Sequence, residues 1–185
     1  SNSEVKRCTF TQTYSSTIGG GLYWYLNNEG FKVTDVTFLS SSAADRGGGT
    51  FLYQGNKNFV FSNVRYDRCT AKGTGGGHYS YNNNPGLEFH NCIFTDCQAA
   101  YGGGCITLES SNPRNLLKNC TLSRCSSENG GGVYLFRDNS GFTMQSSVIE
   151  NCQANIGGGI YMQDANDDIV LTGGSMFVGN RAAVS

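Results

Sequence analysis

Triple glycines recur at Gly19–Gly21, Gly47–Gly49, Gly75–Gly77, Gly102–Gly104, Gly130–Gly132 and Gly157–Gly159, at intervals of 28, 28, 27, 28 and 27 residues. A fixed period of this length marks units that cannot bury a core alone and must stack, so it confines the chain to a repeat architecture. Other columns keep step with the glycines. A large apolar residue precedes each triplet: Phe10, Phe38, Tyr66, Phe94, Leu122, Ile149, and Phe177 in a seventh, incomplete unit. Two residues before it stand Cys8, Val36, Val64, Cys92, Cys120, Ser147 and Ser175. Three after it come Thr13, Ser41, Cys69, Cys97, Cys125, Cys152 and Asn180, and two further on a Ser or Ala.

Apolar residues two apart indicate strands. A second strand follows each triplet ("GLYWYL", "TFLYQ", "HYSY", "CITL", "VYLF", "IYM"), and a third precedes the next unit ("FKV", "FVF", "LEF", "LLK", "FTM", "IVL"). No segment keeps a helical period, and both prolines, Pro85 and Pro113, fall in polar loops. The predicted fold is all-β: a right-handed parallel β-helix with three short strands per 27–28-residue coil and about six and a half coils. It is a single solenoid over residues 1–185, a rod of roughly 30 Å at ~4.8 Å per coil. Like residues then touch along the axis, and Ala, Ser, Cys and Asn tolerate that at an inner corner.

The formal net charge of −1 and pI near 6.1 argue against a nucleic-acid partner. No apolar run approaches the ~18 residues of a membrane helix, so no direct membrane insertion is expected. Eight cysteines point to an oxidising, extracellular or cell-surface location, with metal as the rival explanation. Cys-x4-Cys is not a usual zinc pair, and His78 and His90 lie apart.

"FVGNRAA" (Phe177–Ala183) resembles the F-x-x-N-x-A pattern of chlamydial polymorphic outer-membrane protein repeats, and "GGGIY" (Gly157–Tyr161) is similar to their GGA-[I/L/V] partner. Similar repeats occur in large surface proteins of protists, and the parallel β-helix is shared with pectate-lyase-like proteins. The resemblance implies a surface-exposed or secreted passenger, adhesive or scaffolding, without a cofactor.

Candidate sites follow from the columns. Cys69, Cys97, Cys125 and Cys152 lie on consecutive coils, as do Cys92 and Cys120. Neighbouring coils bring Cα atoms to ~5 Å, within disulfide range. At least one inter-coil bond is expected, with Cys92–Cys120 a candidate; free, stacked thiols are the alternative. In the strand after the glycines one alternate set reads Tyr23, Phe51, Tyr79, Ile106, Tyr134, Tyr161 and Tyr25, Tyr53, Tyr81, Leu108, Phe136. The other reads Leu22, Thr50, His78, Cys105, Val133, Ile160 with Trp24, Leu52, Leu135 and Met162. A strand buries only one face in the coil interior. By analogy with GGA-[I/L/V] the aliphatic set faces in and the aromatic set out; the converse stays open because the aromatic column is the more uniform. An outward aromatic stripe is either covered by the following polar loop or is a contact surface, for neighbouring rods, other copies of the chain, or polysaccharide and cell-surface glycan.

A polysaccharide-cleaving enzyme of the pectate-lyase-like type is the alternative, but the acids scatter and no catalytic residue is assigned. Arg68, Asp96 and Arg124 share an outward column and read as a salt-bridged ladder. Asp164, Asp167 and Asp168 form a weak calcium candidate. One glycosylation sequon stands at Asn119-Cys120-Thr121. Neither end carries a capping sequence, so the chain is expected to be a segment of a longer repeat protein, or to stack end to end with its copies.

Overall fold

A computed structural model describes residues 3–183. Every strand pair is parallel, and no α-helix occurs among the described residues. The third coil shows the plan. Val60–Ser62 leads to Arg65–Asp67, then to a two-residue strand, Thr70–Ala71, and after the glycine corner to a five-residue strand, His78–Asn82. Each lies between its counterparts: Phe61 between Val33 and Phe89, Tyr66 between Phe38 and Phe94, Ala71 between Ala43 and Ala99, His78 between Thr50 and Ile106. Stacking gives two seven-stranded sheets, a six-stranded sheet of five-residue strands, and a narrow ladder of two-residue strands at the Ser/Ala column. This is the right-handed solenoid of about six coils that the period predicts. The two-residue strand adds to the three read from sequence; it was too short to show an apolar alternation.

Aligned stacks fill the interior, three of them from the strands. Phe10, Phe38, Tyr66 and Phe94 stack with centroids 5.0, 5.0 and 4.4 Å apart, and Leu122 and Ile149 continue the column. Val33, Phe61, Phe89, Leu117 and Met144 form a second, and Trp24, Leu52, Leu108 and Leu135 a third; all are buried. Each large side chain so enclosed contributes about 2–3 kcal/mol relative to exposure.

Corners need backbone that ordinary residues avoid. Around the third coil Asn58, Asn63, Arg68, Gly75 and Asn83 each have φ between 51° and 68°. Single left-handed residues turn the chain without a loop, and Asn, Asp and Gly bear that conformation most readily. At the glycine corner two further constraints act. A Cβ on Gly48 would lie 2.3 Å from the Gly76 oxygen, and one on Gly49 2.6 Å from the Tyr66 ring. The triplet thus supplies one left-handed residue, one close backbone approach and one space for the aromatic stack.

The fourth coil slips by one residue. Gly77 N–H donates to the Cys105 oxygen, as Gly49 N–H donates to that of Gly77. Cys105 therefore occupies the third-glycine position, and Gly103, at φ +56°, is the partner of Gly75. The assignment of Cys105 to the aliphatic column, and of Ile106 and Leu108 to the aromatic one, is corrected: Ile106 pairs with His78 and Val133, and Leu108 with Ser80 and Leu135, all facing inward. Gly102 is an extra glycine outside the column, which is why the triplet spacing misled.

Inward polar residues seal each corner. Asn56, Asn84, Asn112 and Asn139 each donate from Nδ2 to two carbonyls about one coil back, and each accepts the N–H of its predecessor in the column or passes that bond on. The cysteines do the same with sulfur. Cys92 Sγ donates to the Phe61 oxygen and Cys120 Sγ to that of Phe89, while Ser147 and Ser175 continue the column with hydroxyls.

Candidate functional site

Alternation along the five-residue strands decides which side chains reach solvent. Thr50, His78, Ile106 and Val133 point inward and are buried; the aliphatic set faces in, as expected. Outward stand Tyr23, Phe51, Tyr79, Thr107, Tyr134 and Tyr161, paired coil to coil. A second outward column, two residues on, holds Tyr25, Tyr53, Tyr81, Glu109, Phe136 and Gln163.

The rings stack along the axis. Tyr25, Tyr53 and Tyr81 lie 5.2 Å apart at 19° and 14° between planes. Phe51 and Tyr79 lie 4.9 Å apart, and Tyr134 and Tyr161 5.4 Å. Not all of this stripe is available for contact. Phe51 and Tyr79 are 2% and 0% exposed, while Tyr23 and Tyr25 are 41% and 56% exposed. Neighbouring rings enclose Phe51, and Arg46, from the segment before the glycine corner, lies over Tyr79 and Tyr81 with its guanidinium carbon 5.4 and 5.8 Å from the centroids. The same guanidinium donates to the Tyr79 hydroxyl at 3.1 Å and pairs with Glu109 at 3.6 Å.

The fourth coil interrupts the stripe. Thr107 stands where its neighbours carry Tyr79 and Tyr134, and Glu109 where they carry Tyr81 and Phe136. The result is a notch of about 240 Å³ bounded by Tyr134, Phe136 and the exposed ring of Tyr101. Gly102 lets the Tyr134 ring lie back into it, since a Cβ there would meet Cδ1 at 2.3 Å. Polar groups converge on the notch. Glu109 is half-buried, and that burial pushes its carboxyl above the usual range against the opposing pull of Arg46. Thr74 Oγ1, enclosed at the wall, has no hydrogen-bond partner. Asn129 Nδ2 donates to the Tyr101 oxygen, leaving its Oδ1 to accept. Burial raises the Tyr134 phenol to about 12, so it is a neutral hydroxyl at any working pH.

None of Arg46, Thr74, Tyr101, Thr107, Glu109 or Asn129 was singled out from sequence. The signal was present as the one coil in which two aromatic columns break together; the slipped register hid it by placing Ile106 and Leu108 there.

The cysteines resolve differently from expectation. The structure joins Cys105 to Cys125, 20 residues apart with Cα atoms at 5.7 Å. Cys92 and Cys120, and likewise Cys69, Cys97 and Cys152, are buried free thiols. Stacked columns aim their Cβ vectors in parallel, whereas Cys105 faces Cys125 from a different corner position, which suits a disulfide better. Cys152 Sγ lies within 4.8 Å of both bonded sulfurs; it is the only convergence of three such ligand atoms among the described residues. Burial pushes its thiol up to about 11. Asp164, Asp167 and Asp168 do not converge in this way, and Asp164 pairs with Arg137 at 3.6 Å. Of the expected ion-pair ladder, Arg124 grips Asp96 through two bonds of 2.8 and 2.9 Å, while Arg68 turns to Asp67. The exposed Asn119 donates to Asn91 along a surface column.

Among the described residues no helix is long and apolar enough to cross a membrane. Residues 20–184 match the family described as right-handed beta helix region. No curated protein and no solved structure matches the chain.

Proposed function

Since the chain belongs to the right-handed β-helix family, a fold that hosts unrelated functions, we propose from its surface that it is a structural or adhesive rod of the cell surface or extracellular space. It would present repeated side-chain columns to polymeric partners, glycans above all, or to neighbouring rods. The observation that carries this reading is the outer stack of the exposed Tyr25 and the half-buried Tyr53 and Tyr81 at 5.2 Å spacing. Stacked rings turn their edges and phenol hydroxyls outward at a regular pitch, which suits a hydroxyl-rich polymer, and exposed apolar surface rarely stays bare. The disulfide supports an oxidising location. The test is retention on immobilised polysaccharides and on a glycan array, with electron micrographs of the same preparation. Sugar-dependent retention lost in a Tyr25→Ala/Tyr53→Ala/Tyr81→Ala variant supports glycan contact; bundles or fibres lost in that variant support rod-to-rod contact. If the chain shows neither sugar-dependent retention nor bundles, the adhesive reading fails.

A polysaccharide-cleaving enzyme has one observation in its favour, the half-buried Glu109 with its raised pKa. Glycoside hydrolysis usually pairs two carboxyl groups roughly 5–9.5 Å apart, and Glu109 is the single carboxylate lining the notch. A fall in polysaccharide viscosity that Glu109→Gln abolishes would establish the enzyme.

A further inference from the structure

The aromatic stripe stops for one coil, and the gap is more polar than the stripe. Its walls are aromatic, lined by Tyr134, Phe136 and Tyr101. Its polar groups are mixed in kind. The Glu109 carboxylate and Asn129 Oδ1 accept, the enclosed Thr74 hydroxyl is unpartnered, and Arg46 stands on the Tyr79 side of Glu109.

This combination selects among ligands. A flat aromatic guest would leave Thr74 unsatisfied, at the cost that a buried unpaired polar group carries. A cationic guest would meet Arg46, which already compensates Glu109 and lies over two rings as a cation would. An acidic guest would face Glu109, with Asp45 and Asp164 also acting on this region. What remains is a neutral ring with one apolar face for Tyr134 and several hydroxyls that both donate and accept. A volume of about 240 Å³ holds one such ring, not a chain of them.

We propose that the fourth-coil notch binds a single neutral pyranose, the end or side branch of a glycan, with Glu109 and Asn129 accepting from its hydroxyls and Tyr134 stacking on its apolar face. This rests on the glycan-contact reading of the stripe and assigns that reading its one specific pocket. The stripe would supply sequence-tolerant contact along its outward ring edges, and the notch would choose the sugar by hydrogen bonds.

The experiment is saturation-transfer NMR and titration of the whole chain with the methyl glycosides of glucose, galactose, mannose and N-acetylglucosamine, and with methyl galacturonate and tetramethylammonium for comparison. At least one neutral glycoside should bind, and methyl galacturonate about tenfold or more weaker, the loss expected when like charges meet at a partly buried site. Thr107→Tyr, which rebuilds the missing ring, should abolish binding, and Glu109→Gln should weaken it about tenfold, as loss of a charge-assisted hydrogen bond does. Tyr14→Ala, at an exposed ring of the first coil outside both the stripe and the notch, should leave glycoside binding unchanged. Absence of transfer to every neutral glycoside overturns the proposal, as does binding that survives Thr107→Tyr, or preference for galacturonate or tetramethylammonium. Should Thr107→Tyr not fold, the wild-type titration and Glu109→Gln decide alone. The two proposals fail separately: retention on polysaccharide depends on the Tyr25 column, and small glycosides report only the notch.

Discussion

Cys105 shows how a single residue departs from a repeat without breaking it. A Cβ at the third-glycine position points at the large side chain of the following unit: Tyr66 for Gly49 and Phe94 for Gly77. In the following unit Leu122 replaces the aromatic ring, and the vacated volume accepts the cysteine and its bond to Cys125. Leu122→Phe alone should therefore cost about 1–3 kcal/mol by overpacking. Adding Cys105→Gly should recover that packing term while forgoing the disulfide, which closes a loop worth about 3 kcal/mol. A double-mutant cycle by urea unfolding under reducing conditions isolates the coupling; additive effects would refute the compensation. His78 makes a second residue-level case. Its Nδ1 bonds Thr50 at 2.8 Å, its Nε2 has no partner, and burial lowers its pKa from 6.5 to about 3. The unfolded chain takes up this proton near pH 6.5 and the folded chain only near 3. His78 should thus make stability fall as pH falls across that window, by up to about 1.4 kcal/mol per unit. His78→Leu should flatten that part of the pH–stability profile, because Ile106 and Val133 already show that the column accepts aliphatic side chains.

At the scale of the element, corners are held by columns of one residue type more than by the strands between them. The asparagine column repeats at Asn56, Asn84, Asn112, Asn139 and Asn166 with spacings of 28, 28, 27 and 27 residues, so it was legible in the sequence and was missed beside the glycines. Asn84 donates to Leu52, Tyr53 and Ser80 and accepts from Asn56 N–H at 2.7 Å. Asn84→Ala should cost about 1–3 kcal/mol, since buried carbonyls and an amide lose their partners. Asn166→Ala, on a half-buried side chain of the last described coils, should cost less. Equal losses in urea unfolding would show that burial does not set the value of the column. The strand interiors were readable for a plain reason: a buried face imposes a period of two. The two-residue ladder was not, because two residues contain no period.

At the scale of the whole molecule, the solenoid converts a local motif into a surface with a pitch. Stability should be close to a sum over coils and their interfaces. Removing three rings of the outer column, the exposed Tyr25 and the half-buried Tyr53 and Tyr81, should then change unfolding by about 1–2 kcal/mol, the scale of ring–ring pairing beyond burial. Contact with glycan or with other rods should be lost in the same variant. Removing Phe94, which stacks on Tyr66 at 4.4 Å inside the coil, should cost about 3–5 kcal/mol. If the Tyr variant proves as destabilised as Phe94→Ala, the outer stack is core in function and the adhesive reading loses its support.

The period by itself determined that the chain coils, that its strands are parallel and that like residues meet along an axis, because only stacking lets a repeating unit bury its apolar face. Tertiary structure alone decided the register within the fourth coil, and with it which cysteine meets which, which rings lie under Arg46, and where the aromatic stripe opens. Those outcomes depend on one-residue displacements and on side chains 20 residues apart for the disulfide and 63 apart for Arg46 and Glu109, distances over which spacing in the sequence carries no information about facing.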